Sequence, residues 1–309
     1  MKMKTAIIGA KGQLGSDLRN IISNNIDEWS HDQVDVRDVS SLETMCEKSR
    51  PNIIINTAAF HDVDLCEKQR DLAYSVNTEG ALNVALVAKK YDAVIVHIST
   101  DYVFGLDDNR DIMSPYTEED LPGPCNFYGL TKLWGEQAVR YANPNHYIIR
   151  TCGLYGDVHK KNFVETMFKL ARKDEPIHVV ADQFCSPTST HDLAQYMSEL
   201  VFTGLYGTYH ITNTGGTNWF EFASLMFALC SIKPEIRPCT SQFFERDAVR
   251  PKMSVLNNNK AQTLPIISEM RPYEMALAAY LRYKHPDEFD DALYRDLFGE
   301  ENREDNQES

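Results

Sequence analysis

The sequence predicts an α/β protein with a Rossmann-like, doubly wound parallel sheet and a smaller C-terminal α/β substrate lobe. Three observations carry that expectation. Residues 5–8, 53–56 and 94–99 are short, β-branched and nearly continuous in apolarity, as strands covered on both faces are. Helical patterns at 14–23, 40–48 and 72–91 lie around and between them, the β-α-β-α order of a parallel sheet with right-handed crossovers. The first strand also runs straight into three glycines, Gly9, Gly12 and Gly15, ahead of a helix.

Taken in order, the first strand and its helix at 14–23 are followed by a short second strand at 28–30 and a helix at 40–48. The third strand at 53–56 precedes a long helix at 72–91, whose apolar face is Ala73, Val76, Leu82, Val84 and Ala85. The fourth strand at 94–99 is followed by a helix at 127–141 and a strand at 147–150. Beyond about residue 150 the rhythm loosens, with helices expected at 163–172, 192–203, 219–230 and 273–283 and short strands at 177–180 and 209–212. No internal repeat is visible. The expected organisation is a dinucleotide-binding domain over 1–150 and a mainly substrate-binding lobe over 151–285, interleaved with the last strands of the first domain. A partly disordered tail over 286–309 follows, acidic and free of apolar residues from 300 onward.

Composition narrows the function classes. Of 309 residues, 43% are hydrophobic and 25% charged, the balance of a soluble globular protein. No apolar run approaches the roughly 20 residues a bilayer span needs. Met1-Lys2-Met3-Lys4 leads into a short strand rather than a signal-peptide core, so a cytoplasmic protein without a membrane partner is expected. The net charge of −14 argues against nucleic-acid binding, while a locally basic pocket for an anionic substrate stays compatible with it. Seven cysteines form no C-x-x-C pair and nine histidines no H-E-x-x-H, so reduced thiols and no metal are expected. No interface stripe stands out, leaving monomer and homodimer both open.

Three constellations carry chemistry. In residues 9–15 (GAKGQLG), Gly9 permits a tight turn and Gly12 lets a pyrophosphate approach the positive end of a helix. Gly15 allows close helix–strand packing. The second strand ends in Ser30-His31-Asp32 and the first arginine after it is Arg37, so NADPH and NADH are both compatible. Asp35-Val36 is the expected adenine-contacting pair. Tyr128 and Lys132 stand four residues apart, on one face of a helix. A tyrosine titrating near pH 10 can serve as an acid–base if a cation stabilises its anion. The third element, residues 99–104 (STDYVF), ends the fourth strand, where ligands of open α/β sheets bind.

With these elements in order, the chain resembles the extended short-chain dehydrogenase/reductases, and within them the dTDP-4-dehydrorhamnose reductase family. The resemblance runs from about residue 4 to 283: 9–15 (GAKGQLG), 56–64 (NTAAFHDVD), 99–104 (STDYVF), 115–118 (PYTE) and 128–136 (YGLTKLWGE). It continues through 150–156 (RTCGLYG), Asn162-Phe163, 182–188 (DQFCSPT) and Arg250-Pro251-Lys252 with Ser254. It implies hydride transfer from NADPH or NADH to the C4 keto group of a dTDP-4-keto-6-deoxy-L-hexose, in dTDP-rhamnose biosynthesis. Thr100, Tyr128 and Lys132 would be catalytic, with Thr100 holding the carbonyl, Tyr128 protonating it, and Lys132 orienting the ribose and lowering the Tyr128 pKa. Gly9, Gly12, Gln13, Leu14, Asp35, Val36, Ala58, Ala59 and Ser99 would line the cofactor. Thr100, Asp101, Tyr102, Asn162 and Arg250 would face the sugar nucleotide, Arg250 at its pyrophosphate.

Gly153 departs from the pattern, since the family usually has tryptophan there; the pocket is expected to be wider or differently filled. Trp134 reads as helix packing, not its substitute. Two other readings use the same motifs. One is a sugar-nucleotide epimerase or dehydratase, although dehydratases of this superfamily add an acidic residue where Tyr102 stands. The other is a non-catalytic NADP-binding subunit resembling methionine adenosyltransferase β.

Overall fold

Strands β1 (Thr5–Ile8), β2 (Ile26–Trp29), β3 (Ile53–Asn56), β4 (Val94–Thr100) and β5 (His146–Thr151) form one sheet with the later strand Gly207–His210. The order is Gly207–His210, β5, β4, β3, β1, β2, and every neighbouring pair is parallel. The structure, a computed structural model, describes residues 3–22, 24–107, 109–158, 162–173, 175–264 and 270–299. β1 and β3 are buried along their whole length, which is why they are apolar without alternation. The chain passes from β1 to β2 on one side and to β3 on the other, so the carboxyl ends of β1 and β3 flank a crevice.

Helices α1 (Gln13–Ile22) and Thr190–Leu200 cover one face of the sheet. The other face is covered by α2 (Val39–Ser49), by α5 (Gly80–Lys90) and by α6 (Phe127–Ala142). Ahead of α5 come two short helices, α3 (Val63–Lys68) and α4 (Arg70–Tyr74). A third core lies beneath helices Phe163–Ala171, Trp219–Leu229 and Tyr273–Lys284, beside the parallel pair Ile177–Val180 and Ile236–Cys239. This smaller lobe faces the carboxyl end of the sheet.

Two elements differ from expectation. The second strand begins at Ile26, because an edge strand can carry solvated charges: Asp27 pairs with Lys4 at 3.1 Å and Glu28 with Arg19 at 3.4 Å. Those charges mask its pattern. The helix expected over 72–91 is interrupted by a π turn at Ser75–Glu79. There the buried Asn77 side chain accepts from Phe60 N–H (2.8 Å) and donates to Phe60 C=O (3.0 Å) and Thr131 Oγ1 (3.1 Å). The Asn77 backbone carbonyl abuts Gly135, where a Cβ would collide with it. The bulge thus packs closely against α6.

The strand expected at 209–212 is Gly207–His210, which pairs in parallel with β5 at the edge of the first sheet. Within 286–309, Asp291–Phe298 is a helix with Tyr294 buried in the lobe core, while 300–309 lies outside the described residues. Among the described residues, no helix is long and apolar enough to cross a membrane.

Candidate active site

The glycine turn opens the site. Gly9 has φ +80°, and a Cβ there would strike Thr57 Oγ1 at the end of β3. A Cβ on Gly15 would collide with the Gly9 carbonyl, so the turn closes only with glycine at both places. The α1 N-terminus consequently points its backbone N–H groups into a cleft of about 1010 Å³. Gly9, Gly12, Gln13, Leu14, Ala58 and Ala59 line one end of it; Ser99, Thr100, Asp101, Tyr102, Tyr128 and Lys132 line the other. Asp35 and Val36 line an adjoining pocket of about 370 Å³ with Ala58 and Ala59. Hydrogen bonds from Arg37 hold the Asp35 carboxyl down at about 2. A helix N-terminus for pyrophosphate beside a small apolar pocket fits a dinucleotide.

Helix α6 is fixed at its start by three contacts. Asn126 Oδ1 accepts from Gly129 N–H at 2.8 Å, and its Nδ2 donates to Val249 C=O at 2.8 Å. Glu67 Oε1 accepts from Phe127 N–H at 2.7 Å. Gly129 sits against the Tyr102 carbonyl with no room for a Cβ. Tyr128 is thereby placed beside Thr100 and Tyr102, with the two tyrosine rings 5.9 Å apart edge to face. Burial raises the Tyr128 hydroxyl well above 10, and the hydrogen bond with Thr100 works against that rise. Tyr128 therefore carries its proton across the working pH range.

One helical turn on, Lys132 is 1% exposed; its Nζ donates to Ile98 C=O at 2.6 Å and reaches His97 Nε2 at 3.3 Å. Burial brings the ammonium down to about 8, with Glu136 opposing the fall. His97 is fully enclosed, and burial together with Lys132 keeps it neutral, so it can accept from Nζ. Glu136 is the anionic centre beneath this group. Burial alone would raise its pKa, but bonds from Arg150 (2.9 and 2.8 Å), Ser99 Oγ (2.6 Å) and Arg140 (2.9 Å) hold it below its ordinary value.

Thr100 is anchored from the other side. Its hydroxyl donates to Asp101 Oδ1 at 3.0 Å and accepts from Tyr102 N–H at 3.2 Å. Asp101 is 2% exposed, and its second oxygen accepts from Ser254 Oγ (2.6 Å) and Cys152 Sγ (3.0 Å). Burial raises Asp101, and these three donors oppose it. The carboxyl is thus committed to holding Thr100.

The family model described as RmlD substrate binding domain matches residues 3–285. The chain belongs to that family. A spore coat polysaccharide biosynthesis protein, SpsK of Bacillus subtilis, is 36% identical over 90% of this chain and 97% of its own. A dTDP-4-dehydrorhamnose reductase of Mycolicibacterium smegmatis is 37% identical over 84% of this chain and 80% of its own. The dTDP-4-dehydrorhamnose reductase of Bacillus anthracis, solved with NADP, superposes with a TM-score of 0.86 at 38% identity, covering 92% of this chain and 100% of that one.

In this RmlD-type chain two expected substrate residues stand differently from their neighbours. Asn162 lies outside the three cavities described here: it caps the helix Phe163–Ala171, accepting from Glu165 N–H at 3.0 Å and donating to Gly156 C=O at 3.2 Å. Its pattern, Asn before an apolar helix, is also that of an N-cap. Arg250 lines a third cavity, of about 550 Å³, but its guanidinium is already gripped by Asp64 at 2.6 and 2.8 Å. Asp64, from the NTAAFHDVD stretch, is thereby held far below the usual carboxylate range. Gln13, in the orientation that satisfies its amide, accepts from Gly156 N–H (2.6 Å) and Tyr155 N–H (3.3 Å), tying the glycine turn to the smaller lobe.

The sequence reading missed Trp219, which lines both the 1010 Å³ cleft and the 550 Å³ cavity. Its position at a helix start concealed it among core aromatics. Gly153 has φ +54°, and a Cβ there would lie 3.1 Å from the Trp219 ring and 3.2 Å from Pro187 Cα. The space is differently filled rather than wider. Gly153→Trp is therefore expected to lower the thermal midpoint and the turnover together. A left-handed backbone costs a non-glycine residue about 1–2 kcal/mol, and overpacking adds about 1–3 kcal/mol. A stable, faster Gly153→Trp enzyme in a thermal melt and turnover assay would refute this packing.

Proposed function

We propose that this chain reduces the C4 keto group of a dTDP-4-keto-6-deoxy-L-hexose with NADPH or NADH, giving dTDP-L-rhamnose or an isomer at C4. The carrying observation is the Tyr128 hydroxyl beside Thr100, protonated and placed in a cleft shaped for a dinucleotide. The reduced nicotinamide, when bound, supplies the hydride. The Thr100 hydroxyl turns from Asp101 to the keto oxygen and holds it. As the C4=O π bond breaks, Tyr128 gives its proton to that oxygen, and its own is replaced from solvent. Lys132 hydrogen-bonds the ribose and stabilises the transient tyrosinate. Residues 1–150 carry the cofactor half and 151–285 most of the sugar-nucleotide half. The nucleotide end extends past Tyr102 into the 550 Å³ cavity, whose wall includes Lys173, Arg246 and Arg250. Dehydration is disfavoured, because Asp101 keeps the Ser254 and Cys152 donors when Thr100 turns to the substrate.

Consumption of NAD(P)H absorbance with dTDP-4-keto-6-deoxyglucose plus a 3,5-epimerase tests the reaction. Turnover is expected; tight cofactor binding without turnover would favour the regulatory-subunit reading. A pH profile tests the Lys132 role. The ammonium, lowered to about 8, is charged below that pH and neutral above it. With Tyr128 raised and protonated throughout, kcat/KM for reduction should hold steady up to about pH 8 and fall beyond it. Lys132→Met should abolish that limb, and a wild-type profile flat to pH 10 would count against the assignment.

A further inference from the structure

We propose that Trp219 is a specificity-determining residue, the apolar wall against which the 6-deoxyhexose ring of the substrate stacks. The inference rests on the reading above and adds the surface that selects the sugar.

Three side chains, Tyr102, Gln183 and Trp219, line both the 1010 Å³ cleft and the 550 Å³ cavity. A sugar with C4 at Tyr128 and a nucleotide in the 550 Å³ cavity passes between them. Two of the three are polar: Tyr102 presents a phenol, and Gln183 donates to Ser241 Oγ at 2.9 Å. Trp219 is the largest and most apolar of the three side chains.

The ring is held rigidly. Trp219 opens the helix Trp219–Leu229, whose cap Asn218 accepts from Glu221 N–H at 2.9 Å and pairs antiparallel with Phe184. Phe163 leans on the indole at 4.6 Å, and Phe222 meets it edge-on at 6.2 Å. The far edge reaches the space over Gly153, 3.1 Å from where a Cβ would stand. Gly153 and Trp219 thus define one another: the missing side chain makes the room that the indole occupies.

A flat indole selects by what it leaves unsatisfied. The C–H face and C6 methyl of a 6-deoxyhexose can lie on it, whereas a C6 hydroxyl turned toward it would lose its hydrogen bonds. A single such group commonly changes kcat/KM by about 10-fold or more.

The test uses wild type, Trp219→Phe and Trp219→Ala. Steady-state kinetics with the 4-keto-6-deoxy sugar nucleotide are combined with NADPH titrations and with indole emission on adding dTDP or dTDP-L-rhamnose. For Trp219→Ala, KM for the sugar nucleotide should rise about 10-fold or more with NADPH affinity unchanged, and Trp219→Phe should fall between. Emission should change with dTDP-L-rhamnose, much less with dTDP, and the change should vanish in Trp219→Phe. Unaltered KM in Trp219→Ala, or an emission change that survives in Trp219→Phe, overturns the wall while turnover by wild type leaves the reductase reading standing. If wild type turns nothing over, the reductase reading fails by itself. The emission comparison still decides whether a 6-deoxyhexose touches Trp219, and it also serves if Trp219→Ala does not fold.

Discussion

Tyr128→Phe should lower kcat by about 100-fold or more while leaving NADPH affinity unchanged. The variant removes one oxygen and keeps the ring, so the edge-to-face contact with Tyr102 at 5.9 Å and the packing of α6 survive. What disappears is the proton-bearing hydroxyl that hydrogen-bonds Thr100. Because burial raises that hydroxyl, the loss should be nearly constant between pH 6 and 8, where wild-type Tyr128 is fully protonated. Stopped-flow measurement of the hydride step, with cofactor binding measured separately, distinguishes a lost acid from a displaced cofactor. Equal weakening of binding and turnover would mean that Tyr128 serves the cofactor instead.

Glu136→Gln should destabilise the fold by about 3–5 kcal/mol, read as a lower urea midpoint. Glu136 is 0% exposed and accepts from Arg150, Arg140 and Ser99, joining α6 to β4 and β5. Glutamine keeps the shape but leaves the buried Arg150 guanidinium without its counter-charge. The wild-type contribution has a defined pH dependence. A carboxyl whose folded pKa is depressed stabilises above its unfolded value and loses that stabilisation as pH falls through the folded value. Stability of the wild type should therefore decline as pH falls below the ordinary glutamate value of 4.5, and Glu136→Gln should show a shallower acid limb. An unchanged midpoint would show that the network is dispensable.

The parallel sheet was legible because β1 and β3 are buried on both faces and leave an uninterrupted apolar record. β2 was half-legible, since an edge strand carries Asp27 and Glu28 and looks like a loop. The π turn at Ser75–Glu79 was invisible: it answers to Asn77 and Gly135, residues 58 positions apart that only the fold brings together. The same limit applied at the site. Spacing pointed to Tyr128 and Lys132, which share a helix face, and strand-end position pointed to Thr100. Local pattern had no means of showing that Asp64 grips Arg250 or that Trp219 occupies the room beside Gly153, whereas the N-cap pattern of Asn162 was open to reading.

The most direct test of the central claim follows the hydride itself. With NADPH carrying deuterium at the transferred position of nicotinamide C4, the enzyme should turn a dTDP-4-keto-6-deoxy-L-hexose into a product with one deuterium at sugar C4, seen by NMR and mass spectrometry. Product bearing only hydrogen at C4, or no product while the labelled cofactor stays bound, would contradict it.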